Sequence, residues 1–253
     1  MHAAQRQKRI AALIEERGAA EVSELSSLFK VSEVTIRSDL RLLEQEGRIK
    51  RTFGGALMNE SAGVPFQDLK DLLSDKKTAI AKAAMDLIEE GDSLFLDASS
   101  TTWHLALQLR DKADLTVISN SIPVFEQFKQ YATGTLIGIP GTLNPYSQSF
   151  VGPMAEQTVM SLQAGKAFIA PKSIVPEGLR DNNVLDATLR RRMMESASET
   201  IVLADHSKFT GSRKLFGIAE LDAVSTIVTD KLPDEPFLRL IRDKNIRLIV
   251  AAE

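Results

Sequence analysis

The sequence predicts an α/β chain, with a small N-terminal winged helix-turn-helix followed by a Rossmann-like, mostly parallel α/β domain. Two observations carry this. The first sixty residues show three short stretches of helical period and then a brief alternating stretch closed by Gly54-Gly55. From Ser74 onward, apolar runs of three to six residues alternate with helical segments, the pattern of strands joined by crossover helices. The 253 residues suit one or two domains, and 43% hydrophobic with 26% charged residues exclude a chain disordered throughout.

In the first region, Arg6 to Arg17 carries Ile10, Leu13 and Ile14 at helical spacing, and Gly18 ends it. Val22 to Phe29 is the second helix. Ser32 is a good N-cap for a third, Glu33 to Glu46, ended by Gly47. The stretch Arg48 to Ala56 reads as a β-wing. Residues 58–74 lack a clear period, contain Gly63 and Pro65, and read as a linker between a domain at 1–57 and one at 75–253. A helix is expected over Asp75–Glu90. Strands are expected at Leu94–Leu96, Leu115–Ile118, Thr135–Ile139, Ala167–Ala170, Ile201–Ala204, Ile227–Thr229 and Ile246–Val250. Helices are expected between them near Thr101–Arg110, Ile122–Tyr131, Gly152–Leu162, Asp186–Ala197 and Glu235–Asp243.

Several function classes drop out early. With no cysteine there is no disulfide, thiolate metal site or cysteine nucleophile, which fits a reducing cytosol. His2, His104 and His206 are too scattered for a histidine-built metal site, and no cofactor is called for. No apolar run is long enough to cross a membrane, and the N-terminus has no apolar signal region, so the expected location is cytoplasmic. Residues 1–60 hold 10 Lys and Arg against 9 Asp and Glu, net +1; the remainder holds 21 against 25, net −4. That asymmetry alone does not establish nucleic-acid binding.

Helix, turn, helix at this spacing is a DNA-reading arrangement. On the third helix, Ile36, Leu40 and Leu43 fall on one side and must face the core. Val34, Thr35, Arg37, Ser38 and Arg41 lie outside that stripe, toward the N-terminal half that a recognition helix presents to bases. Arginine pairs with guanine edges, serine bonds either way, and valine or a threonine methyl touches thymine. Lys50 and Arg51 in the wing suit phosphates or the minor groove. A three-helix dimerisation unit with solvated arginines fits the same pattern. The wording is more specific. Val31-Ser32-Glu33-Val34-Thr35-Ile36-Arg37-Ser38-Asp39-Leu40, Leu43 to Gly47 and Arg51-Thr52-Phe53-Gly54-Gly55-Ala56 together resemble the DeoR family of bacterial transcriptional regulators. Many members carry a basic residue where Ser38 stands, which bears on which operator is read.

In the second region the expected strand ends carry polar turns. The first strand leads into Asp97-Ala98-Ser99-Ser100-Thr101-Thr102, the second into Ser119-Asn120-Ser121, and the third into Pro140-Gly141-Thr142. Free amides and hydroxyls where a strand feeds a helix suit an anion, phosphate above all, although a Ser/Thr N-cap without a ligand has the same sequence. These segments, with Ser149 to Gly152 and Ala204-Asp205-His206-Ser207-Lys208-Phe209, also resemble the DeoR family. Its C-terminal domain is similar to ribose-5-phosphate isomerase and binds sugar phosphates. The resemblance spans about residues 6–250 and departs where Thr142 replaces a second glycine, and at Ala170 to Ile174.

The resemblance implies a repressor of a carbohydrate-catabolism operon that binds double-stranded operator DNA as a dimer or tetramer and is released by a phosphorylated sugar. Effector contacts are expected from Asp97, Ser99, Ser100, Thr101, Thr102, Ser119, Asn120, Ser121, Gly141, Lys172 and Lys208, with Lys172 equally readable as a solvated lysine. Arg190-Arg191-Arg192 reads as a solvated or intersubunit helix face. The alternatives are an isomerase, with Asp181 and Asp186 the nearest candidate bases, and a dimerising scaffold. Neither aspartate stands in a clear acid–base pair, Asp205-His206-Ser207 is too compressed for a catalytic triad, and no catalytic residue is assigned.

Overall fold

The computed structural model describes residues 2–46, 48–58, 65–131, 134–209 and 214–252. The chain divides into two compact units, Met1–Leu72 and Leu73–Glu253.

The first unit begins with α1 (Ala3–Arg17), three residues ahead of the periodic segment, and Gly18 ends it in the left-handed conformation (φ 80°). A strand the sequence did not announce, β1 (Ala19–Glu21), precedes α2 (Val22–Phe29) and α3 (Glu33–Gln45). Ser32 caps α3, its hydroxyl accepting from the Thr35 amide at 3.2 Å. Gly47, the expected stop, lies outside the described residues. The wing is the antiparallel pair β2 (Ile49–Arg51) and β3 (Gly55–Met58), and β1 adds to β3 to give the order β1-β3-β2. Ile10, Ile14, Leu25, Ile36, Leu40, Leu43 and Ile49 form the core. Within the stretch read as a linker, Phe66–Asp71 form a helix, α4, whose Phe66 is buried and whose Leu69 packs on that core. One short turn of helix shows no period that sequence can reveal.

The second unit opens with α5 (Ser74–Ala84) and continues β4 (Ser93–Leu96), α6 (Ser100–Ala106), β5 (Thr116–Ser119), α7 (Ile122–Tyr131) and β6 (Thr135–Gly138). A hairpin follows, β7 (Thr142–Asn144) and β8 (Ser149–Val151). Then come α8 (Pro153–Met160), β9 (Ala164–Ile169), β10 (Ser173–Val175), β11 (Gly178–Asp181), α9 (Val184–Glu195), β12 (Ala197–Leu203), β13 (Phe216–Ala219), β14 (Thr226–Thr229), α10 (Glu235–Asp243) and β15 (Arg247–Val250). The seven expected strands form one parallel sheet in the order β15-β14-β12-β9-β4-β5-β6. Both faces are covered. Leu94 and Leu96 point to one hydrophobic cluster and Phe95, between them, to the other. A strand buried on both sides reads as an unbroken apolar run, which is why these strands were legible. The β7–β8 hairpin and the antiparallel sheet β10-β11-β13 are too short to be.

From β4 the chain moves outward through β5 and β6, then returns to lay β9 on the other side of β4. The order therefore reverses between β4 and β9. In open parallel sheets, the crevice beyond the C-terminal strand ends at such a reversal is where ligands bind.

Candidate functional site

The exposed face of α3 is the first candidate. Val34 is 77% exposed, and Arg37, Ser38 and Arg41 are exposed with it, while Thr35 is half-buried beside the Ser32 cap. Arg37 pairs with Glu33 one turn earlier at 3.1 Å. Such an exposed pair is worth about 0.3–0.5 kcal/mol, so it holds the arginine only weakly. On the opposite side, Asp39 is buried and receives Arg6 Nε at 2.6 Å and Gln7 Nε2 at 2.8 Å. That pair holds Arg6 firmly protonated: its bond to Asp39 outweighs the cost of burial. Asp39 thus locks α3 to α1, a role sequence reasoning did not assign. The wing is fastened as well. Glu44 on α3 accepts from the Arg51 amide and from Arg51 Nε, each at 2.9 Å, leaving Lys50 exposed beside it. Arg48 is buried and pairs with Asp68 of α4.

The second candidate is a small cleft at the sheet reversal, lined by Asp97, Ala98, Asn120, Asp186, Leu189, Arg190 and Met193. Asp97, 1% exposed, joins its parts. Its carboxylate accepts from the Ser99 amide at 3.1 Å, the Thr102 hydroxyl at 2.8 Å, the Ala170 amide after β9 at 3.1 Å and Arg190 Nε at 2.5 Å. Arg190 also pairs with Asp181, whose other oxygen accepts from the Asn182 and Asn183 amides. Burial works against the Arg190 charge, but Asp181, Asp97 and Asp186 more than offset it and keep the guanidinium protonated.

The expectation that Arg190, Arg191 and Arg192 form a solvated or intersubunit face is therefore corrected at Arg190. Arg190 is buried at the cleft, and Arg191 donates to the Ile218 and Gly217 carbonyls at 2.8 and 2.6 Å. Arg191 is nonetheless exposed, as the solvated reading has it, and half-buried Arg192 pairs with Glu195. The signal lay in α9's period: Leu189 and Met193, on the buried face, bracket Arg190. Asp186 is the other unassigned member. Burial pushes its carboxyl up to about 6, a rise that Arg190 and Lys172 limit.

The residues expected to meet an effector take distinct positions. Asp97 and Asn120 line the cleft. Asn120 donates through Nδ2 to the Phe150 carbonyl at 2.8 Å, and its buried Oδ1 has no hydrogen-bond partner. A buried acceptor left unmet costs about 1–3 kcal/mol. Ser99 caps α6, accepting from the Thr102 amide at 3.1 Å, and Thr102 turns inward to Asp97; Thr101 is buried and Ser100 half-buried. Ser119 donates to the Leu96 carbonyl at 2.8 Å, and its oxygen accepts from the Ser121 amide. These hydroxyls shape the strand ends. Gly141 lets the backbone pass Val151, whose carbonyl oxygen would lie 2.7 Å from an added Cβ. Lys208 sits 3.7 Å from Asp205 and Lys172 is half-buried; neither is among the cleft-lining residues.

Nucleophilic chemistry finds no support at Asp205-His206-Ser207. Ser207 bonds to Asp205, whereas His206 Nδ1 pairs at 2.8 Å with Asp230. Burial raises the Asp205 pKa, but Lys208, Ser207 and Lys77 outweigh it and hold the carboxyl below its usual range. Among the described residues, no group of three or more His, Asp or Glu side chains is placed to hold a metal ion. No helix among them is long and apolar enough to cross a membrane.

A DNA-reading helix with its wing, and a parallel α/β unit with a cleft at the sheet reversal, define a ligand-responsive DNA-binding regulator. Residues 6–62 match the DeoR-like helix-turn-helix domain and residues 73–231 the DeoR C-terminal sensor domain, and the chain belongs to the DeoR family of transcriptional regulators. It is similar to YulB, an uncharacterised HTH-type transcriptional regulator of Bacillus subtilis, at 36% identity over 98% of this chain and 96% of the relative. It is also similar to a putative aga operon transcriptional repressor of Escherichia coli O157:H7 (32%, covering 98% and 94%) and to an L-fucose operon activator of Haemophilus influenzae (33%, covering 87% and 90%). These relatives are regulators, not enzymes. Ribose 5-phosphate isomerase A of Methanocaldococcus jannaschii is matched only distantly, at 19% identity over 55% of each chain with a TM-score of 0.40.

Proposed function

We propose that this regulator represses a carbohydrate-catabolism operon and is released when a phosphorylated sugar enters the cleft at the β4–β9 reversal. The observation that carries the reading is the buried, unpartnered Asn120 Oδ1 beside Asp97, Asp186 and Arg190. An acceptor-rich floor suits the hydroxyls of a sugar. The phosphate is assigned to the rim, with Lys172 and Lys208 offsetting its charge and the Ser99–Thr102 segment supplying amides and hydroxyls. Gly141 keeps backbone close by, and Ser119 and Ser121 hold the strand end that carries Asn120. On α3 and the wing, Val34, Thr35, Arg37, Ser38, Arg41, Lys50 and Arg51 read the operator.

Release follows from linkage: the sugar phosphate must bind the DNA-incompetent state more tightly, or it shifts nothing. A symmetric operator calls for a symmetric homo-oligomer, a dimer or tetramer. The relatives named for aga and L-fucose operons support the carbohydrate reading. The test is thermal-shift screening with sugar phosphates against the same sugars unphosphorylated. A true effector at 100 times its Kd stabilises the protein by about 2.7 kcal/mol. Asn120→Ala should abolish that shift. A sugar phosphate that shifts the Asn120→Ala protein as much as the wild type would refute the cleft.

A further inference from the structure

The wing tip carries a side chain that folding leaves out. Phe53 is 102% exposed, the most exposed large hydrophobic among the described residues. A single exposed apolar residue is ordinary on a protein surface. What sets Phe53 apart is how rigidly it is presented. It occupies the first position of the two-residue Phe53-Gly54 loop, closed by the Thr52 amide on the Gly55 carbonyl at 2.9 Å. The Gly54 carbonyl accepts from the Val22 amide at 2.9 Å, which pins the tip to the start of α2. Gly55 packs so tightly on β1 that an added Cβ would meet the Ala20 oxygen at 2.2 Å. Two residues before Phe53, Arg51 is fastened to Glu44 of α3 through its amide and its Nε. The ring therefore projects from a turn tied to both helices of the DNA-reading pair, on a hairpin that carries Lys50 and Arg51.

We propose that Phe53 is an apolar wedge that enters the operator minor groove next to the major groove occupied by α3, and opens one base step there. The inference rests on the DNA-binding role of the family and goes beyond the contacts assigned above. A phenyl ring has no hydrogen-bonding code to offer, so its selectivity is for deformability. Apolar side chains at this depth partly unstack a step and kink the duplex, and pyrimidine–purine steps yield most easily. Lys50 and Arg51 supply the phosphate attraction that holds the hairpin against the groove. Phe53 thus reads a position of the operator that makes no hydrogen bond to the protein.

The experiment uses the full chain and duplexes selected by it from a random-sequence pool, with 2-aminopurine placed at successive steps and dyes at the duplex ends. The wild type should brighten 2-aminopurine at one step and shorten the end-to-end distance. Phe53→Ala should abolish both signals and weaken binding to the selected duplexes on the order of tenfold. It should leave melting temperature, affinity for random-sequence duplex and the salt dependence unchanged, because no charge and no packing are lost. Phe53→Trp should keep the unstacking signal, whereas Lys50→Ala should lower the salt slope and keep it. The wedge is refuted if Phe53→Ala retains affinity and fluorescence, or weakens selected and random duplexes equally. A wild-type chain that selects no duplex at all would overturn the DNA-binding role itself, a separate and distinguishable failure.

Discussion

Replacing Arg190 by Met tests the electrostatic centre of the sensor unit. Arg190 joins Asp97 and Asp181, whose side chains are 1% and 2% exposed. The methionine keeps much of the volume and removes the charge, leaving two buried carboxylates without their cation. Breaking a buried pair in this way costs about 3–5 kcal/mol, mostly because the surviving charges stay desolvated. For a unit of this size, 1 kcal/mol moves the midpoint by about 2–4 °C, so Tm of the sensor transition should fall by roughly 6–20 °C. The measurement is calorimetry of the full chain at pH 7, following the two units as separate transitions. Adding Asp97→Asn and Asp181→Asn to Arg190→Met should recover much of the loss, since the uncompensated charges then disappear. A single variant that loses less than about 1 kcal/mol, or a triple variant less stable than the single, would show that Arg190 is not neutralising buried charge.

Two further outcomes follow from the same geometry. Asp186 has its pKa raised from 3.8 to about 6 by burial, so its contribution to stability is present below about pH 4 and lost as pH rises through 6. The full shift corresponds to about 3 kcal/mol, reduced to about 1–2 because Asp186 as a residue keeps partial exposure to solvent. Asp186→Asn should therefore stabilise the sensor unit at pH 7.5 and make little difference at pH 4; denaturant titrations at both values check this, and equal effects at the two would disprove it. On the DNA side, Arg37→Ala and Arg41→Ala should each weaken binding to selected duplexes by about 1–3 kcal/mol without changing Tm, because both side chains are exposed. Gel-shift titration reads this, and unchanged affinity in both variants would remove α3 from the interface.

Much of this protein was legible because its signals are local or periodic. The buried stripe Ile36, Leu40 and Leu43 specified α3 and, by subtraction, its exposed face. The seven apolar runs became the seven parallel strands because both faces of the sheet are covered, which removes the alternation that would otherwise mark a surface strand. The polar turns after β4 and β5 marked the edge where the cleft lies, and the chain's wording marked the family.

What only the tertiary structure decided are partnerships between distant residues. Asp97 and Arg190 stand 93 residues apart, and their pairing is set only when α9 packs on the sheet. Asp39 and Arg6 meet only when α3 lies against α1. The hydroxyls of Ser99, Thr102 and Ser119 look like ligand donors in sequence, yet Ser99 bonds to Thr102, Thr102 donates to Asp97, and Ser119 donates to the Leu96 carbonyl of the neighbouring strand. Asn120 is the reverse case: only the folded structure shows that its amide nitrogen is used by Phe150 while its oxygen is left buried and unmet. Sequence records which groups can bond. Which of them are already satisfied depends on distances that only the closed fold sets.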